Sequence, residues 1–283
     1  MNNLLIPNPQ GVEKLIEKIS EQGKRKIHIL ADFDRTLTKA FYQGQKAGSL
    51  ISHLRKDKGR YLTPDYAEKA QELFNKYHPI EIGSAPIEEK KQKMYEWWKL
   101  HKELLIDSGF DKRTIKQAVK DMIKERTIEF REGVEDFLSY LHKNNIPLVI
   151  MSSSLEDLIE EFMKQKKVLT DNVYIIGNKF EFGKNGKAVG IERIVHVFSK
   201  NEMTLENLPV YPELLKRKNI ILLGDSLGDI EMVEGFDYEN ILKIGFYNDS
   251  DEDLKAFKKM YDVLILSDGN FDYVNDVLRQ IKI

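Results

Sequence analysis

Two pairs of aspartates stand where apolar runs end. Ile27-His28-Ile29-Leu30-Ala31 leads into Asp32-Phe33-Asp34-Arg35-Thr36, and Ile220-Ile221-Leu222-Leu223-Gly224 leads into Asp225-Ser226-Leu227-Gly228-Asp229. Residues two apart point to the same side while strand geometry lasts, which brings Asp32 and Asp34 to one ligand. Carboxylates so close repel unless a cation neutralises them. Hard oxygen donors suit Mg2+, which commonly binds through one or two carboxylates together with substrate phosphate. Asp225 is placed to complete such a metal site, and Asp229, at the start of the next helix, can orient nearby groups. Gly224 and Gly228 would let the backbone turn close to an anion. A solvated acidic turn would explain one pair, and a strand-to-helix turn the glycines, but neither explains the second acid pair.

A third apolar run, Leu148-Val149-Ile150-Met151, ends in Ser152-Ser153-Ser154. Hydroxyls and backbone N–H groups at a helix start make a phosphate cradle, although serines are also ordinary helix caps. Lys200 follows Val197-Phe198-Ser199 and is the candidate cation. Most of the 44 basic residues must be solvated surface charge, so only its place in the ordered set singles Lys200 out.

The elements that must position these groups alternate. Helical spacing over residues 12–19 precedes the strand at 27–31. Beyond residue 126, a helix at 134–143, strand at 147–151, helix at 155–164 and strands at 173–177 and 220–223 predict a parallel sheet covered by helices. That is an α/β, Rossmann-like core, and ligands bind such sheets beyond the carboxyl ends of their strands. Residues 63–124 read as helical throughout, with Pro64, Pro79, Pro86 and Gly109 as punctuation. Gly183, Asn185-Gly186 and Gly190 predict one or two hairpins between 178 and 193. The expected organisation is a core of residues 1–40 and 126–283 with a helical module, 41–125, inserted after the first acid pair.

Composition narrows the functional classes. The chain has 283 residues, 41% hydrophobic and 32% charged, and contains no cysteine, which removes disulfides, thiolate metal sites and cysteine nucleophiles. No apolar run approaches the roughly 18 residues needed to span a membrane, and the first residues lack a secretory pattern. A cytoplasmic monomer without membrane or nucleic-acid partners is expected, since a net charge of −2 supplies no field for polyanions. An anionic substrate must find its cations locally.

Acid pair, hydroxyl, lysine and second acid pair, in this order, resemble the four motifs of the haloacid dehalogenase superfamily. The resemblance extends to the cytosolic type III 5'-nucleotidases, also called pyrimidine 5'-nucleotidases. It rests on Pro7-Asn8-Pro9, Asp32-Phe33-Asp34, Ile80-Glu81, Glu96-Trp97-Trp98, Asn145-Ile146-Pro147, His196-Val197-Phe198-Ser199-Lys200, residues 220–229 and Leu242-Lys243-Ile244-Gly245. It implies a magnesium-dependent hydrolase of nucleoside 5'-monophosphates, acting through an aspartyl-phosphate intermediate, whose helical insert is a cap closing over the nucleotide. In that light Asp32 matches the nucleophile, Asp34 the acid/base, Ser152 the phosphate-binding serine with Ser153 beside it, Lys200 the lysine and Glu81 the base-contacting glutamate. The implied metal ligands are Asp32, the backbone carbonyl of Asp34, and Asp225.

Two stretches depart from the pattern. Family members carry a cysteine pair where this chain has Ala47-Gly48-Ser49-Leu50. At Trp98, pyrimidine-preferring members resemble a tyrosine, whereas the branch acting on 7-methylguanosine monophosphate resembles a Trp-Trp pair. A cationic methylated guanine would be drawn to the Trp98 face while Glu81 accepts its ring N–H groups. The plainer reading is that Trp97 and Trp98 pack the cap, and adjacent helical positions do not face one ligand equally. Nucleoside phosphotransfer and sugar-phosphate hydrolysis are the rival reactions on the same core, and a nucleotide-binding module without catalysis is the rival of another class.

Overall fold

The computed structural model describes residues 3–56, 59–200, 205–206, 208–249 and 253–281. Its strands are β1 (Leu4–Leu5), β2 (Ile27–Ala31), β3 (Phe41–Tyr42), β4 (Gln45–Lys46), β5 (Leu148–Leu155), β6 (Val173–Phe182), β7 (Ala188–Arg193), β8 (Asn219–Gly224), β9 (Asn240–Tyr247) and β10 (Val263–Leu266). Apart from the β3–β4 hairpin they form one sheet, in the order β1-β10-β9-β8-β2-β5-β6-β7. Pairing is parallel from β10 to β6, and only the edge strands β1 and β7 run antiparallel to their neighbours. The expected α/β fold is therefore present with a mixed rim.

Period-two alternation of apolar residues builds a core on each face. Ile27, Ile29, Leu148, Ile150, Ile221 and Leu223 belong to one cluster, while Leu30, Val149, Met151, Ile220 and Leu222 belong to another. All of them are buried, as strands covered on both sides require. Helices α1 (Pro9–Gln22), α6 (Val134–Lys143) and α7 (Glu156–Gln165) supply Val12, Ile16, Phe137 and Phe162 to the first cluster.

Residues between β2 and α6 form helices α2 (Leu50–Arg55), α3 (Tyr66–Ile82), α4 (Ile87–Asp107) and α5 (Lys112–Lys124). In α5 the buried residues Ile115, Ala118, Val119 and Met122 follow helical spacing, and Asp111 caps its start by accepting from the Thr114 amide at 2.7 Å. These helices share their apolar interior with the first sheet cluster through Leu54, Tyr66, Leu105 and Phe110. No helix among the described residues is long and apolar enough to cross a membrane.

Two expectations need correction. Pro79 does not punctuate: α3 runs through it to Ile82. It stands in the last turn, where its missing N–H costs a single bond near the helix end. The strand expected to stop at Met151 continues through the three serines to Leu155, because β6 continues beside it and pairs Leu155 with Asn178 after a register shift. Helix α7 then begins without any side-chain cap. The serines are a strand-end feature and not a helix start.

Candidate active site

Register brings the motifs together. Ala31 pairs with Ile150 on one side and Leu223 on the other, so Asp32, Ser152 and Asp225 lie within two residues of a common line across the carboxyl ends of β2, β5 and β8. Asp32 is buried, and its amide donates to the Leu223 carbonyl at 3.0 Å. Asp34 Oδ1 accepts from the Leu50 amide at 3.2 Å, tying the first motif to the start of α2.

Lys200 enters from the loop after β7. His196, Phe198 and Ser199 form a tight turn, with the Ser199 amide donating to the His196 carbonyl at 2.9 Å and the His196 amide donating to Ser199 Oγ at 2.9 Å. The Lys200 ammonium donates to Asp32 Oδ1 at 2.5 Å and to Asp229 Oδ1 at 3.1 Å. All three side chains are almost wholly buried. Burial works against the ammonium, but the carboxylates of Asp229 and Asp32 more than offset it and hold its pKa above the ordinary lysine value.

Asp229 has a second task. It sits in a 3₁₀ turn as one half of a capping box with Ser226, and its Oδ2 accepts from the amides of Asp225 and Ser226 and from Ser226 Oγ. One carboxylate thus fixes both the lysine and the turn that carries Asp225. Gly224 is needed here, because a Cβ would stand 2.5 Å from Asp229 Cβ and 2.8 Å from Tyr261 Oη. Gly228 is not: a Cβ there would meet Ser226 Oγ only at 3.7 Å, an ordinary contact.

The serine strand is held from behind by Asn178, which sequence reasoning missed. Its Nδ2 donates to the carbonyls of Ser153 and Val195, and its Oδ1 accepts from the Val195 amide. One buried amide therefore links the serines to the loop that presents Lys200. Ser152 Oγ accepts from the Ser154 amide at 3.1 Å, and the buried Ser154 Oγ has no partner among the described residues.

Burial raises the Asp32 pKa to about 7, a rise increased by Asp229 and Asp34 and opposed by Lys200. It raises Asp34 to about 6 and pushes Asp225 well up as well, with Asp32 and Asp229 adding to the effect there. The single Lys200 ammonium is bonded to Asp32 and Asp229 and leaves Asp34 and Asp225 without an ion pair among the described residues. Among the described residues no three acidic or imidazole side chains converge closely enough to hold a metal by themselves. The donor set that fits is two carboxylates, Asp32 and Asp225, plus a backbone carbonyl and oxygens from a ligand, an arrangement suited to Mg2+.

Arg131 braces the first motif from beneath, a role that no pattern in the sequence announces. Its guanidinium donates to the carbonyls of Thr36, Arg35 and Gly269 and to Asn248 Oδ1, and pairs with Asp268 at 2.8 Å. Asp268 in turn accepts from the amides of Ala40 and Phe41 at 2.7 and 3.2 Å. Arg35 has φ of 62°, a left-handed conformation costly for a non-glycine residue, and both Arg131 and Asn248 hold its carbonyl there.

Above the strand ends lies a cleft of about 340 Å3 whose other wall is helical. Asp32, Asp34, Ser152, Ser153, Lys200, Asp225 and Asp229 line its floor, and Glu81 and Trp98 its roof, so the residues proposed from sequence all meet in one cavity. Glu81 lies in the last turn of α3 and is held up in pKa by burial, with Lys90 and Arg55 opposing. Both tryptophans border the cleft: Trp97 stacks on Tyr77 with centroids 6.1 Å apart, and Trp98 on His101 at 5.7 Å. Phe74, stacked on His78 at 4.5 Å, and Arg55 also line it. His101 hydrogen-bonds Tyr66 Oη at 2.9 Å. Burial, then the Arg55 charge, lowers its pKa to about 3, so its ring is neutral.

Comparison with known proteins agrees with this geometry. The sequence profile of the family described as pyrimidine 5'-nucleotidase (UMPH-1) matches residues 35–282. The 7-methylguanosine phosphate-specific 5'-nucleotidase of Mus musculus is 36% identical over 98% of this chain and 92% of its own length. The crystal structure of cytosolic 5'-nucleotidase IIIB bound to cytidine superposes with a TM-score of 0.89 at 29% identity, covering 99% of this chain and 94% of that one. A haloacid dehalogenase family hydrolase from Salmonella enterica shares the fold at 14% identity and a TM-score of 0.56, over 96% of this chain and 81% of that one. The chain belongs to the pyrimidine 5'-nucleotidase family and is a 5'-nucleotidase on the haloacid dehalogenase fold.

Proposed function

We propose that the chain releases phosphate from nucleoside 5'-monophosphates, pyrimidine or 7-methylguanosine, in two steps through Asp32. The observation that carries this reading is Lys200 clamped between Asp32 and Asp229 on the floor of a cleft whose roof is Glu81 and stacked rings. In the first step the Asp32 carboxylate attacks phosphorus in line with the 5'-oxygen, the bond from phosphorus to that oxygen breaks, and Asp34 gives its proton to the departing nucleoside. In the second, water attacks the aspartyl phosphate, Asp34 takes the proton, and Asp32 is restored. A carboxyl pushed up to about 6 has both forms available near neutrality, as this double duty requires.

Lys200 offsets the repulsion between the nucleophilic carboxylate and the phosphate dianion, while Ser152, Ser153 and nearby amides take phosphate oxygens. Bound Mg2+, held by Asp32, the Asp34 carbonyl and Asp225, would supply further positive charge beside those oxygens. Residues 41–125 act as the cap that shuts water out, and residues 1–40 and 126–283 as the core. On the cap, Glu81 accepts N–H groups of the base and the rings stack on it.

The test is phosphate release from cytidine, uridine, adenosine, guanosine and 7-methylguanosine monophosphates with Mg2+, using Asp32→Asn as the blank. Fast release from the pyrimidine nucleotides or 7-methylguanosine monophosphate is expected. Release from sugar phosphates alone would overturn the substrate, and transfer of phosphate to added nucleoside in place of water would change the reaction.

A further inference from the structure

The two buried guanidinium groups among the described residues, those of Arg131 and Arg217, are well supplied with acceptors. Arg131 has the partners given above, and Arg217 donates to the carbonyls of Lys24, Ile27 and Asn145 and to Glu213. Arg55 differs. It ends α2, is half-buried and lines the cleft, and its guanidinium lies over the Phe74 ring at 4.6 Å. No hydrogen bond or ion pair falls to it among the described residues. The carboxylate that acts on its charge is Glu81, which lines the same cleft and makes no ion pair with it.

A guanidinium carries five N–H donors and no acceptor, and removing such a group from water without partners is costly. Among the described residues no acceptor that lines the cleft reaches those donors. Glu81 is an acceptor facing the same space, so the two offer a ligand one positive donor and one negative acceptor. A neutral nucleobase with a carbonyl oxygen and a neighbouring N–H satisfies both. A cationic base satisfies Glu81 but meets the Arg55 charge at short range, where like charges in a partly dehydrated site repel strongly.

We infer that Arg55 is a specificity-determining residue, donating to the carbonyl edge of a neutral base and disfavouring a cationic one. This rests on the nucleotidase reading and names the base class: this chain favours pyrimidine over 7-methylguanine more than the same site without the charge. The ring stacking that draws a cation is thereby opposed by a cation already in place on Phe74.

The test compares kcat/KM for cytidine and 7-methylguanosine monophosphates in the unaltered chain, Arg55→Lys and Arg55→Gln, at a pH where the methylated base keeps its charge. Arg55→Gln should raise the ratio of 7-methylguanosine to cytidine monophosphate on the order of tenfold, while Arg55→Lys stays near the unaltered ratio. An unchanged ratio in Arg55→Gln overturns the proposal. An equal shift in both variants overturns it too, assigning the effect to stacking on Phe74 instead of charge. Release of phosphate from neither nucleotide by the unaltered chain would overturn the substrate reading, and the proposal with it.

Discussion

On the core wall of the cleft, Asp32 and Asp225 hang from strand ends and Asp229 sits in the turn after β8, and Lys200 reaches Asp32 and Asp229 at 2.5 and 3.1 Å. On the cap wall, Arg55, Phe74, Glu81 and Trp98 stand on three helices and touch mostly through ring faces. The core wall is charged and tightly cross-linked, so its geometry is fixed before a ligand arrives. The cap wall is aromatic and sparsely bonded, and its polar groups wait for a partner. On the proposed reading, chemistry common to all substrates belongs to the first wall, and choice among substrates to the second.

That division can be broken by experiment. Asp32→Asn should lower turnover by roughly 10^4-fold or more on every nucleotide; phosphate release that survives on one base would show that the core wall also selects. Lys200→Met should lower kcat by roughly 10^2 to 10^3-fold, again alike across bases. It should also lower the thermal midpoint, since two buried carboxylates lose their partner.

Metal binding sharpens the picture of the core wall alone. Asp32 and Asp34 have folded pKa values raised from 3.8 to about 7 and about 6, so they favour the fold while protonated. That contribution is complete below the unfolded value and is lost as pH rises through the folded ones. Because Mg2+ would displace the proton on the Asp32 carboxyl, its stabilisation should grow from about pH 5 to about pH 8. Thermal unfolding with Mg2+ and with chelator measures it, and a difference that stays flat with pH would contradict the raised values. The smallest effect is expected on the cap wall: Glu81→Ala should shift relative kcat/KM among bases by about tenfold to a hundredfold, leaving kcat on the best substrate nearly intact. Equal loss on all bases would move Glu81 to the other side of the comparison.

The same contrast explains what was legible in the sequence. Asp32, Asp34 and Asp225 were readable because a strand buried on both faces leaves an unmistakable apolar run and the site begins where it ends. The strand at 27–31 and the helix at 134–143 fall on their expected residues. Lys200 was readable only from its order among the other motifs, since no strand leads directly to it. Arg55, Phe74, His78 and His101 were not readable: helical residues that meet across three helices have no fixed spacing, and each looks like ordinary packing until the helices are placed. Asn178 and Arg131 escaped for a related reason, as their acceptors are backbone carbonyls, which no side-chain pattern reveals. The serine strand was misjudged because its length depends on what β6 does beside it.

Arg131 and Asp268 carry a consequence for folding. Residues 35–41, which follow Asp32, are held by bonds to Asn248 and Asp268. The segment beside Asp32 therefore closes on residues 213 and 228 positions further along the sequence, and pairings so distant bear their loop-closure entropy before any contact rewards it. The strained Arg35 backbone is set only when Asn248 and the turn at Asp268 have docked against it.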